Sequence, residues 1–320
     1  SAGAIAAFRD YANTFDSNNL IISSNGSEKI NGGTLDLTVS TEGESITLVY
    51  ADATKGWLVV NDGNNDAGAQ ASFVTATSPC VATVGDYKIH TFTGGGPFNV
   101  TSAGNAAGSN TVDYLVVAGG GGGGSSVPGY YAGGGGGAGG FRESVPNPAA
   151  WTASPIANAS NARPVSVQNY TITVGGGGPG GTGGHPGGSN GGGGSLSGPS
   201  GAGNTPPVNP AQGFRGGGGS GSPTAPAAGP NGVGGGGGGA LGQGTDATPG
   251  YGQAGGPGAT TCISNSPLTK AVGGASGLQP GGTPTTPVNS GNGGQSGGNC
   301  ASSGANGGSG IVILRYKFQN

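Results

Sequence analysis

The side chains here with reactive chemistry to offer are two histidines, three cysteines and 13 carboxylates. His90 alternates within the strand-like Tyr87–Thr93, and His185 stands in Gly-Gly-His-Pro-Gly-Gly. Neither has a cysteine or an acid at a spacing that makes a metal-ligand set or a catalytic triad. Cys80, Cys262 and Cys300 are odd in number and far apart, with no CxxC, so neither a zinc site nor a disulfide framework is signalled. That spacing leaves open whether Cys262 and Cys300 pair. GxGxxG recurs, but at this glycine density it arises by chance and lacks the βαβ context that gives it meaning. Glu42 and Glu44 read as a solvated turn and not as the desolvated pair that acid–base catalysis needs. The expectation is a protein that is no enzyme and carries no cofactor and no metal.

Recognition is the chemistry that remains. Between the glycine runs lie Tyr130 and Tyr131, Trp151, Phe214 and Tyr251. Connections held by a rigid scaffold are where binding residues concentrate, and Tyr and Trp supply contact area at low entropic cost. These five are the binding candidates. The other reading of Trp151, Phe141 and Phe214 is that they pack against the glycine runs and shield them.

The elements that would position them follow from an unusual composition. Of 320 residues, 80 are glycine and only 7% are charged, against about 25% in ordinary globular chains. With hydrophobic residues at 32%, one large aliphatic core is excluded. The charge is too low for the disordered class, and a net −3 gives no electrostatic footprint for nucleic acid. No apolar run approaches the roughly 18 residues of a membrane span. Ser1–Ala4 shows no basic region leading into an apolar one, so a secretory signal is expected to be absent or already removed.

Glycine and charge both change near residues 112–118. Residues 1–118 hold 14 glycines, four basic and 11 acidic residues; the 202 residues that follow hold 66 glycines, six basic and two acidic residues. A second break, at Ser78-Pro79, divides the first region. The chain therefore reads as 1–78, a small β module; 79–111, a β-hairpin connector; and 112–320, a glycine-rich domain.

Alternation of apolar and polar residues predicts strands at Thr34–Val39, Ser45–Tyr50, Trp57–Val60 and Leu20–Ile22. Thr41–Glu44 reads as a hairpin turn, and Tyr87–Thr93 is expected to return through Gly94–Pro97 as Phe98–Thr101. Ala4–Phe15 has apolar residues three or four apart and suggests one short helix. Thr111–Ala118 and Tyr170–Val174 are strands that run into glycine, and Ile311–Phe318 closes the chain as its most apolar segment.

Uninterrupted glycine runs without a Gly-X-Y period exclude collagen. They fit a bundle of polyproline-II helices, whose backbone groups point outward on three sides and which glycine allows to approach closely. Pro128, Pro179, Pro186 and Pro257 suit the required φ. An interior change such as Gly236→Ala is expected to damage folding. Expected, then, is a mainly β protein: small N-terminal β modules followed by a polyglycine-II bundle capped by apolar strands. Alternate connections of such a bundle share an end, so the loops around Tyr130, Trp151, Phe214 and Tyr251 are expected together at the end away from the N-terminal modules.

Val112–Ala118 before Gly119–Gly124, Tyr170–Gly175, and Ser309–Tyr316 resemble the glycine-rich domain of phage tail-fibre and adhesin-like virion proteins. Asn25–Ile30, Glu44–Tyr50, Lys55–Trp57 and Gly85–Thr93 are similar to virion structural proteins of marine phages, cyanophages in particular. The resemblance implies a virion appendage, made in the host cytoplasm, attached to other virion proteins through its N-terminal modules. Loops of the glycine-rich domain would contact a host-surface receptor, a protein or a glycan. It also implies a homotrimer, no nucleic-acid partner and no membrane insertion. Two further readings stand beside it: a purely structural virion component, as capsid fibre, decoration or baseplate attachment, and a cell-wall glycine-rich protein.

Overall fold

The computed structural model describes residues 2–62, 71–125, 133–181, 201–204, 207–219, 233–248, 252–277, 286–297 and 303–319. Among these the regular elements are all strands. The N-terminal unit contains β1 (Ile5–Arg9), β2 (Leu20–Ile22), β3 (Leu37–Val39), β4 (Ser45–Asp52) and β5 (Gly56–Asp62). They form a sheet in the order β1-β4-β5 and a β2-β3 ladder. Ile30, Leu37, Val39, Ile46 and Leu48 make a core that this unit supplies alone.

Two sequence expectations fail here. Ala4–Phe15 is not a helix: residues 5–9 pair with β4. The turn that follows is fixed by the Asp10 carboxylate, which accepts the backbone N–H groups of Thr14, Phe15 and Gly43. Burial would raise its pKa, but those N–H groups and that of Ala12 hold it below the usual carboxylate value. Thr41–Glu44 does not join a hairpin either: β3 pairs with β2, whereas β4 pairs with β1 and β5. The turn instead carries the chain from one ladder to the other.

The next strands are β6 (Val74–Thr77), β7 (Val81–Val84), β8 (Tyr87–Phe92), β9 (Gly96–Ala103) and β10 (Thr111–Val117). The remainder are β11 (Phe141–Val145), β12 (Asn158–Ala159), β13 (Arg163–Pro164), β14 (Gln168–Ile172), β15 (Ala259–Thr261), β16 (Leu268–Lys270) and β17 (Ile311–Lys317). A central sheet runs β12-β11-β10-β17-β8-β7, with β13 paired to β10. A second runs β14-β9-β6, and β15 pairs with β16. The expected β8–β9 hairpin does not form, because both edges of β8 are taken, by β7 and β17. Nor does 79–111 form a sheet of its own. Its β8 joins the closing strand β17, and its β9 joins β14, so the strands on either side of residue 112 share their sheets.

Period-two alternation gives the central sheet two different faces. Leu115, Val117, Phe141, Ile311 and Ile313 point to one side and pack with Ala240, Ala259, Ile263 and Ala271. Val112, Val312, Phe92 and Tyr316 point to the other and pack on Phe98, Val100 and Val74 of the β14-β9-β6 sheet.

The strands β10, β11 and β17 continue as glycine runs: 118–124 leaves β10, 133–140 enters β11, and 303–310 enters β17. Their hydrogen bonds repeat every third residue. Ala118, Gly121 and Gly124 donate to Gly140, Gly137 and Gly134, while Gly120 and Gly123 donate to Gly308 and Ala305. The same run accepts from Gly178 and Gly181 at Gly120 and Gly123, and from Gly294 and Gly297 at Gly121 and Gly124. A three-residue period that serves separate neighbours is the signature of a three-fold helix with outward-pointing backbone groups. Run 118–124 is thus enclosed by 133–140, 175–181, 291–297 and 303–310. Runs 213–219, 233–240, 244–248, 252–258 and 271–277 extend the lattice by the same kind of bond, for example Ala138 to Gly238 and Gly217 to Gly236. The result is a mainly β protein with a polyglycine-II bundle growing from the ends of its strands.

Candidate functional site

Chain direction gives the bundle two distinct ends. Runs 118–124, 175–181, 213–219, 244–248, 271–277 and 291–297 lead away from the strands, and 133–140, 233–240, 252–258 and 303–310 lead back. At the distal end the described runs stop at 125, 181, 219, 248, 277 and 297 and resume at 133, 233, 252 and 303. The strand-proximal end is built from 146–167, the turn at 240–243, the β15–β16 connection and 286–290.

Two of the five aromatic candidates, Trp151 and Phe214, lie among the described residues. Tyr130, Tyr131 and Tyr251 lie outside the described residues, as do His185 and Cys300. Trp151 and Phe214 are strand-proximal. The N–H of Phe214 donates to Gly239, next to the buried Ala240, and its ring is 41% exposed. Trp151 belongs to the connection between β11 and β14, both strands of the base.

Trp151 is half-buried and held on two sides. Its Nε1–H donates to the Glu143 carboxylate at 3.0 Å, and the Arg315 guanidinium stacks on the indole at 4.7 Å. Glu143 is 2% exposed and also accepts from the Ser154 N–H and the Thr261 hydroxyl. Arg315 is inserted between Trp151 and Tyr87 and donates to the Ile263 carbonyl. Cross-strand from it is Asp113, which accepts from the Ser144 hydroxyl at 2.7 Å. Burial raises the Asp113 pKa, while the Ser144 bond and the Arg315 charge oppose that shift. These side chains gather on the face of the central sheet that packs with Ala240, Ala259 and Ile263, so they bolt the β11–β14 connection and the β15–β16 hairpin onto it. Trp151→Phe keeps the stacking area but removes one donor from a buried carboxylate. It should cost about 1–3 kcal/mol of stability in urea titrations; no change would mean that the indole bond contributes nothing.

Sequence reading missed this network, although a signal was present. Asp113 and Arg315 are charges set inside apolar strands, and Glu143 with Arg142 is a charged pair in a charge-poor region. It also missed a second chain of polar groups on the opposite face. His90 is fully buried; its Nδ1 lies 2.7 Å from the Ser78 hydroxyl and its Nε2 lies 3.1 Å from the Tyr316 hydroxyl. The ring stacks on Tyr316 and meets the edge of Phe98. Burial, with a smaller contribution from Lys88, lowers its pKa to about 4, so at neutral pH the imidazole is uncharged. Tyr316 both accepts from and donates to Ala76 of β6, and so ties the two sheets together.

A strand-rich base that carries a bundle of polyglycine-II helices defines a class of glycine-rich structural domain. Residues 93–317 match the family model described as "Glycine-rich domain", and the chain belongs to that family. Neither a curated protein nor a solved structure matches it.

Proposed function

We propose that this protein is a non-enzymatic phage virion appendage, fibre- or adhesin-like, that binds a host-surface receptor through the distal connections of its glycine bundle. The polarity of the bundle carries this reading: one end is occupied by sheets, and at the other several described runs stop and resume. A close-packed lattice of backbone is a rigid platform for such connections, and rigidity lowers the entropic cost of recognition. Tyr130, Tyr131 and Tyr251 are the contact residues in this proposal. Trp151 and Phe214, on strand-proximal connections, are not. The resemblance of the flanking strands to phage fibre domains supports virion location, the homotrimer, and attachment through the N-terminal unit.

Labelled protein should bind host cells saturably, and Tyr131→Ala should weaken that binding by at least about tenfold without altering thermal stability. Saturable binding that never appears with intact protein removes the receptor role. The second reading, a structural virion component without a receptor, is favoured by the commitment of Trp151 to internal packing. It would then take the first reading's place.

A further inference from the structure

A groove of about 470 Å³ opens between the two sheets beside β14. Its floor is the outer face of the central sheet, with Val112, Val116, Val312 and Leu314. Val116 lies on β10, in the middle of that sheet, yet is 40% exposed. The facing sheet ends at β14, whose one edge pairs with β9. Four successive residues of the chain there, Tyr170–Thr173, line the groove. Side chains of a strand alternate between faces, so consecutive lining residues mean that its free backbone edge borders the opening. Among the described residues, that edge of β14 has no strand partner.

Charge describes what that strand belongs to. Arg142 and Arg163 border the groove, and the one salt bridge among the described residues joins Arg215 to Asp246. Among the described residues neither arginine has a carboxylate partner. Residues 71–320 carry seven basic and four acidic residues, whereas 2–62 carry three basic and eight acidic ones. The acidic unit also presents an open edge. β1 pairs with β4 on one side only, and its apolar side chains are in water, Ile5 at 69% and Phe8 at 40% exposure.

We infer that the groove beside β14 receives β1 of a second copy of this chain, edge to edge, with the acidic N-terminal unit against Arg142 and Arg163. Among the described residues of one chain both surfaces are open, and the occupant in this inference is a second molecule. The two surfaces differ, which makes the contact heterologous: it repeats into a closed ring or an open fibre. Its polar rim makes it salt-sensitive.

Sedimentation of the full chain across a roughly hundredfold concentration range tests this. Wild type should associate progressively, and less so in high salt. The double variant R142E/R163E, and separately Phe8→Glu, should each weaken association by at least about tenfold while melting like wild type. Each variant keeps one intact surface, so mixing them should restore a one-to-one complex that does not extend. A wild type that stays monomeric, variants that assemble as well as wild type, or a mixture that forms no complex would each overturn the inference. Single Arg163→Glu, on an exposed side chain, serves as the groove variant should the double variant fail to fold.

Discussion

Replacing Gly236 by alanine should prevent stable folding of the bundle, whereas the same change at Gly176 should leave stability within about 0.5 kcal/mol of wild type. A Cβ on Gly236 would stand 2.0 Å from the carbonyl oxygen of Ala254 and 2.6 Å from its carbon. No side chain can rotate away there, because the obstacle is backbone. The residue is also fixed from two further directions: its N–H donates to Thr245, and its carbonyl accepts from Gly217. Moving one run by the ångström or more required stretches bonds on neighbouring runs. The loss should therefore exceed the about 1–3 kcal/mol of ordinary overpacking. At Gly176, on an outer run, an added Cβ meets nothing within 4 Å. Chemical denaturation of both variants, read by far-ultraviolet dichroism, separates the cases. Equal stability of the two would mean that run-to-run contact is not what demands glycine.

The second large effect is acid sensitivity centred on His90. Its folded pKa of about 4 lies below the unfolded 6.5, so in that window the unfolded chain binds the extra proton. Stability is fully present above pH 6.5 and falls as pH drops toward 4. The difference in pKa corresponds to about 3 kcal/mol lost across the window. Asp113 works in the opposite sense, because its raised pKa makes the folded state hold a proton above pH 3.8. Asp10 and Asp52, whose pKa values are lowered, withdraw their contributions only below their ordinary carboxylate range. Comparison with His90→Gln isolates the imidazole: the variant, less stable at pH 7, should show a much flatter dependence between pH 6.5 and 4.5. Urea midpoints at several pH values provide the measurement. Identical slopes for the two proteins would remove His90 as the cause.

The amino-acid sequence by itself determined the material of this protein and the existence of its main strands. A quarter glycine with little charge leaves backbone hydrogen bonding as the principal means of cohesion, and long runs without a collagen period specify three-fold helices. Strands β10 and β17 were legible because their apolar residues are continuous and end at glycine, and β14 because alternating apolar residues lead into a glycine run. The strand at residues 5–9 was not: Ile5, Phe8, Ala12 and Phe15 carry helical spacing, and β4 together with the Asp10 turn overrides it. Partner choice was illegible too. Tyr87–Phe92 and Gly96–Ala103 look like a hairpin, because local sequence carries no record of β17, more than two hundred residues away, which takes the open edge of β8.

Tertiary structure alone decided which charges meet. Glu143, Thr261 and Arg315 converge because antiparallel pairing sets β11 and β17 beside β10 on one face, while the glycine runs bring β15 back to the same end. It likewise decided that Trp151 belongs to the base. A loop's end of the bundle depends on the direction of the runs that flank it, and direction follows from how many times the chain has crossed the lattice. Where Trp151 stands is thus set by the path of the whole chain.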